Sequence, residues 1–297
     1  MFLVTQLIGL AVINSYAPRQ SSILNQTTGI YENQTTQNQL PYELQPPEDA
    51  AWWAIIPSFV IAIILIFILM KFRVIFFLKL WFFVVIAIAL GITFSSILNY
   101  FNLSPYYALI LAIPLAFIKI YKRNVFVHNI TELLIYPGLA AVFVPILGIW
   151  SALLFLVLIS VYDMWAVWHS GIMQKMAKFQ INHLKIFSGF FIPYFAKNDK
   201  QKIQLLKDKY KNKIPSKFLK KIKINLAILG GGDVVFPLIL AGVVHRTLGL
   251  PQALLITLFA TLSLLLLFVF ARKGKFYPAM PFITSGCLVG LLFAWLI

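Results

Sequence analysis

The chain has 297 residues, 61% of them hydrophobic and only 11% charged, with a mean hydropathy of +0.87. A soluble domain carries about a quarter charged residues, so this composition excludes a soluble globular protein and indicates an integral membrane protein. The formal net charge of +16 does not make nucleic acid a partner, because the basic residues stand at the ends of apolar runs and in one loop. The single cysteine, Cys287, excludes an intrachain disulfide.

A helical span needs about 20 predominantly apolar residues. Runs of that kind stand at 1–17, 51–70, 76–98, 105–121, 126–144, 147–168, 226–244, 251–270 and 278–297. The expected fold is therefore an all-α polytopic membrane protein of about nine transmembrane helices. The first run lacks a basic start, although Ser15-Tyr16-Ala17 has the small residues of a signal-peptidase site. Pro18 directly after it disfavours cleavage, so 1–17 is expected to be a retained span. The domain organisation expected is a six-span bundle over 1–168, a lysine-rich loop over 169–225 and a three-span bundle over 226–297, forming one integral membrane unit.

Two hydrophilic stretches set the orientation. Residues 18–50 are rich in Gln, Asn, Thr and Pro and carry Glu32, Glu43, Glu48 and Asp49 against Arg19 alone. Asn25-Gln-Thr and Asn33-Gln-Thr in that stretch match glycosylation sequons, which arise often by chance. Residues 169–225 carry fourteen lysines, from Lys175 to Lys223, against Asp199 and Asp208. The positive-inside rule puts the second stretch in the cytoplasm and the first outside. Lys71, Arg73 and Lys79, then Lys119, Lys122 and Arg123, then Arg272, Lys273 and Lys275 flank further cytoplasmic turns. The N-terminus is then cytoplasmic and the C-terminus external.

Asp163 and Asp233 each stand within an otherwise apolar run. A carboxylate near the bilayer core costs roughly 2.5–3.5 kcal/mol on insertion scales, so such residues usually line a pathway or perform chemistry. On antiparallel neighbouring spans both would lie roughly 9–12 Å below the cytoplasmic surface. Carboxylates brought together at one depth cannot both ionise and share a proton. The ionised member can then take a proton from water while the protonated one polarises a peptide carbonyl. No Lys or Arg stands mid-span to neutralise either one.

Gly230-Gly231-Gly232 precedes Asp233 in what reads as a helical span, where each glycine costs roughly 1 kcal/mol. Their use there is close helix packing or close approach of a substrate backbone. Pro237 should bend the same helix and free carbonyls that need partners. Tyr162, next to Asp163, brings a hydroxyl to a polar site. Glu132 follows His128 by one helical turn and is expected to form a structural pair with it. Lys221, Ile222, Lys223 and Ile224 alternate with a period of two, which suits a short strand whose edge could pair with an unwound substrate. The aromatic stretch Phe187-SGFFIPYF-Ala196 suits either the membrane surface or a cover over the site, and the surface is the expected placement. The four histidines, His128, His169, His183 and His245, are scattered, and no zinc-ligand spacing occurs, so neither a metal nor another cofactor is expected.

These residues also carry a family resemblance. Tyr162-Asp163 and Gly230-Gly231-Gly232-Asp233 resemble the YD and GxGD motifs of the presenilin and signal-peptide-peptidase family. Pro278-Ala279-Met280-Pro281 resembles its PAL motif, with Met280 in place of the usual Leu. The compact chain and its lysine-rich loop look most like the archaeal members. The resemblance spans the whole layout and implies a presenilin-like intramembrane aspartyl protease. It implies Asp163 and Asp233 as the catalytic pair. Tyr162, Gly230, Gly231, Gly232, Pro278, Ala279, Met280 and Pro281 would then shape the substrate site. The partners implied are transmembrane substrate helices and the lipid bilayer, with accessory subunits and oligomeric state left open. The rival reading is a proton- or cation-coupled transporter using the same carboxylates.

Overall fold

The computed structural model describes residues 1–16, 19–24, 31–36, 75–104, 106–122, 124–170, 188–194, 225–270 and 277–296, with isolated positions 57, 60, 61 and 64. Its helices are α1 (Phe2–Ser15), α2 (Ile75–Tyr100), α3 (Tyr106–Tyr121), α4 (Val125–Phe143), α5 (Ile149–Trp165), α6 (Gly231–Thr247), α7 (Leu250–Phe270) and α8 (Met280–Leu296). A π-helical turn, Ala166–Ser170, prolongs α5. Strand β1 (Arg19–Leu24) pairs antiparallel with β2 (Tyr31–Thr36), and β3 (Gly189–Tyr194) with β4 (Asn225–Gly230). The expected span 51–70 and most of the lysine-rich loop, including Lys221–Ile224, lie outside the described residues.

Helices dominate because a bilayer offers backbone groups no partner, and an α-helix satisfies its own. Among the described residues, four helical stretches are long and apolar enough to cross a membrane: Phe77–Tyr100, Val125–Phe143, Ile149–His169 and Leu250–Phe270. Their outer faces are apolar. Leu254, Leu258, Leu262 and Leu265 run down one side of α7 and are exposed, a stripe that suits lipid and would aggregate in water. Large side chains therefore cannot mark the interior here, and small ones do. Ala108, Ala112 and Ala116 line the buried face of α3 at four-residue spacing. On α4, a Cβ at Gly138 would overlap the Ala89 carbonyl, so α2 and α4 meet backbone against backbone.

At the centre stands α6, buried along nearly its whole length and packed against α1, α4, α5, α7 and α8. Helix α1 lies between α4 and α6. It is a core element of the bundle.

Two expectations are overturned in this region. Residues 225–230 form strand β4, and the helix begins only at Gly231. The glycines thus stand at a strand-to-helix junction, outside any helix interior. The described part of the 187–196 stretch does not lie free on a membrane surface: 189–194 is strand β3, and Phe190 is completely buried with its ring edge-on to Tyr136. Local apolarity suited either placement. Pairing of Gly189 with Gly230 through Tyr194 with Asn225 decides it.

Helix α4 holds β3 on its other side. His128 Nε2 donates to the Gly189 carbonyl at 2.7 Å. The Asn129 side chain both donates to the Phe191 carbonyl (2.8 Å) and accepts from the Phe191 N–H (3.0 Å). Backbone groups of Gly189 and Phe191 therefore point away from β4. By antiparallel register, those of their partners Gly230 and Ile228 point to the outer edge of β4, as do those of Leu226 opposite Pro193. Among the described residues no strand lies along that edge.

Candidate active site

Asp163 stands near the end of α5, just before the π-helical turn, a helix irregularity often found at functional sites. Its side chain is buried, and Oδ2 accepts from the Met280 N–H at 3.1 Å. The Ala279 N–H lies close to the same carboxylate. Met280 is the first residue of α8, so Asp163 sits at the positive end of a helix where N–H groups have no partner of their own. Pro281 occupies the first turn of α8, where its missing N–H costs nothing. Pro278 and the Met280 side chain are buried, and Ala279 is half-buried. The contact to Asp163 runs through the backbone, so Met in place of Leu leaves it intact.

Asp233 is the third residue of α6, with Gly230 as N-cap. Its carboxylate lies beside Gly230, in the place of the third helical residue of a capping box. Asp233 is buried and within electrostatic reach of Asp163. Among the described residues neither carboxylate has an ion-pair partner.

The three glycines differ in what surrounds them. Gly230 turns the chain from strand into helix, with Asp233 Oδ2 close beside it. Gly231 is buried, and a Cβ there would press on Ser188 Oγ and on the Tyr136 hydroxyl, so only glycine lets β3 and α4 close on this junction. Gly232 is exposed, and a Cβ there would meet only the Phe236 ring. Tyr162 is half-buried beside Asp163, with its ring 6.3 Å from that of Trp165.

The structure adds residues that the sequence reading did not place at the site. Glu132, assigned to His128, has a closer partner: Lys119 Nζ lies 2.5 Å from Glu132 Oε1, against 3.7 Å for His128 Nε2. The Tyr136 hydroxyl is buried beside Glu132 and Ser188 without reaching hydrogen-bond geometry with either. His128, Asn129, Glu132 and Tyr136 fall on one side of α4, and that polar stripe in an apolar span was the available signal. Gln6 of α1, also missed, donates to the Val234 carbonyl at 2.8 Å. Among the described residues no three His, Cys, Asp or Glu side chains cluster as metal ligands.

Comparisons with known proteins bear on the family and the fold. The family model described as signal-peptide peptidase, presenilin aspartyl protease matches residues 28–297. No curated protein matches the chain. Two solved structures of a presenilin family intramembrane aspartate protease share its fold. One, in space group C222, has a TM-score of 0.61 at 18% identity, covering 100% of this chain and 96% of the other. The second, in space group P2, has a TM-score of 0.60 at 19% identity, covering 100% and 95%. With the family match extending over most of its length, the chain belongs to the signal-peptide peptidase and presenilin family of intramembrane aspartyl proteases.

Proposed function

We propose that Asp163 and Asp233 are the catalytic pair and hydrolyse peptide bonds of transmembrane substrate helices as a general acid and base. The observation that carries this reading is their setting: two buried carboxylates in electrostatic reach, each at the start of a helix, Asp163 held there by the Met280 N–H, and neither ion-paired among the described residues. Such a pair shares one proton. The ionised member takes a proton from water as the water oxygen attacks the scissile carbonyl carbon, and the protonated member gives its proton to the carbonyl oxygen. The tetrahedral diol then collapses: one hydroxyl returns its proton to a carboxylate, the C–N bond breaks, and the amine leaves with the second proton. No covalent intermediate forms, and the pair ends with one proton as it began.

The outer edge of β4 supports a mode of substrate binding. A substrate unwound into a strand along Leu226 and Ile228 would be fixed by main-chain bonds and led towards Gly230, beside Asp233. Ala279 and Met280 would set the position of Asp163 through their N–H groups, with Pro278 and Pro281 shaping that turn. Tyr162 and Gly232 border the same site, and Gly231 keeps its junction closed. The lysine-rich loop would face the cytoplasm, so water would reach the carboxylates from that side.

Cleavage of a single-span reporter by purified protein tests the assignment. Asp163→Ala and Asp233→Ala should each abolish cleavage while leaving the folded protein intact, and wild-type activity should be bell-shaped with pH. Acid protonates both carboxylates and alkali ionises both, so each limb removes the singly protonated pair. Cleavage surviving either substitution, or a flat profile across mildly acid to neutral pH, would sink the shared-proton mechanism.

A further inference from the structure

Helix α1 carries one long polar side chain within its apolar interior, Gln6, and it is completely buried. Its Nε2 donates at 2.8 Å to the carbonyl of Val234, the residue after Asp233 and 228 positions away in the chain. A carbonyl can only accept, so the amide nitrogen must face it. The other end of the amide, Oε1, has no partner among the described residues. A buried acceptor left unmet is a standing cost that Leu at the same place would avoid. Stability alone gives no reason for glutamine here.

The local geometry of α6 supplies one. Pro237 has no N–H to close on the Asp233 carbonyl, so the turn containing Asp233 and Val234 lacks one of its own helix bonds. In a bilayer such a turn needs donors from a neighbouring helix. Gln6 reaches that turn, and α1 and α6 touch one turn further on, where a Cβ at Gly9 would overlap the Leu238 side chain. The amide therefore grips the Val234–Val235 peptide unit, the one that begins a residue past the Asp233 Cα and so steadies the backbone from which Asp233 projects. At its other side Asp233 lies against Gly230.

We propose that Gln6 is a positioning residue for the catalytic reaction, bracing the first turns of α6, where Pro237 leaves out a helix bond, so that the Asp233 carboxylate faces Asp163. The inference rests on the assignment of Asp233 as catalytic. It makes α1 part of the catalytic machinery without placing any of its atoms on the substrate.

The test is reporter cleavage by the full chain carrying Gln6→Leu or Gln6→Met, with thermal unfolding measured on the same samples and Asp233→Ala as control. Removing the amide also removes its unmet oxygen, and Leu238 remains the donor that helix spacing provides for Val234. The melting temperature should thus be unchanged or higher. Misplacing a catalytic group by even a fraction of an ångström slows chemistry, so kcat should fall by about tenfold or more while KM changes less than about twofold. Wild-type kcat in both variants, with Asp233→Ala inactive, would overturn the role of Gln6 alone. A fall in kcat that tracks a lower melting temperature and recovers on cooling would overturn it in favour of a structural role. An active Asp233→Ala enzyme would overturn both this inference and the reading beneath it.

Discussion

Lys119 and Glu132 meet inside the bundle with their side chains 3% and 2% exposed. Taking two charges out of water costs several kcal/mol per ion, and their attraction repays this only while both are present. Lys119→Met should therefore lower stability by about 3–5 kcal/mol by leaving Glu132 unpaired. Lys119→Met combined with Glu132→Gln should regain much of that loss, read by thermal unfolding in one detergent. A double variant no more stable than the single one would mean that the pair is not the source. The single variant should also lose cleavage activity, because Glu132 stands beside Tyr136 and one turn from His128, which holds Gly189 of β3. Charge at this point thus bears on the strand that flanks the site.

Strand β4 links that polar face to the proposed catalytic pair. Its inward-facing residues, Leu229, Ala227 and Asn225, pair with β3, while Ile228 directs its N–H to the open edge. Proline at an outward position removes an edge donor and spares the ladder, whereas at an inward position it breaks a ladder bond. Ile228→Pro should raise KM or abolish cleavage at near-normal melting temperature, if substrate adds to this edge. Ala227→Pro should lower both activity and stability. Unchanged turnover in Ile228→Pro would remove strand addition from the mechanism while leaving the carboxylate pair untouched.

At the scale of the molecule, the basic loop and the acidic one imply an orientation that labelling can read directly. Cys287 is buried, and replacing it with Ala gives a background without thiols. In that background a membrane-impermeant maleimide applied to intact spheroplasts should modify Gln37→Cys. Gln201→Cys should react only once the cytoplasmic face is opened. The reverse pattern would invert the proposed topology and move the water entry of the carboxylates to the other side. The same view explains why α1 belongs to the core. It packs on α4 and α6, and removing it would expose the buried faces of both.

Membrane residence and the chain order of the apolar runs were legible from local composition, because partition into lipid depends on each segment alone. The motifs around Asp163, Asp233 and Met280 were legible as a resemblance, and spacing put the two carboxylates at one depth. What local pattern left open was anything requiring two distant segments. The six residues Asn225–Gly230 are apolar enough for helix or strand, and pairing with β3 decides between them. The grip of Met280 on Asp163 crosses 117 residues, and that of Gln6 on Val234 crosses 228. Hydrogen bonds of that reach leave no periodicity in a sequence. Only packing of α1, α5, α6 and α8 around one junction brings their donors and acceptors within bonding distance.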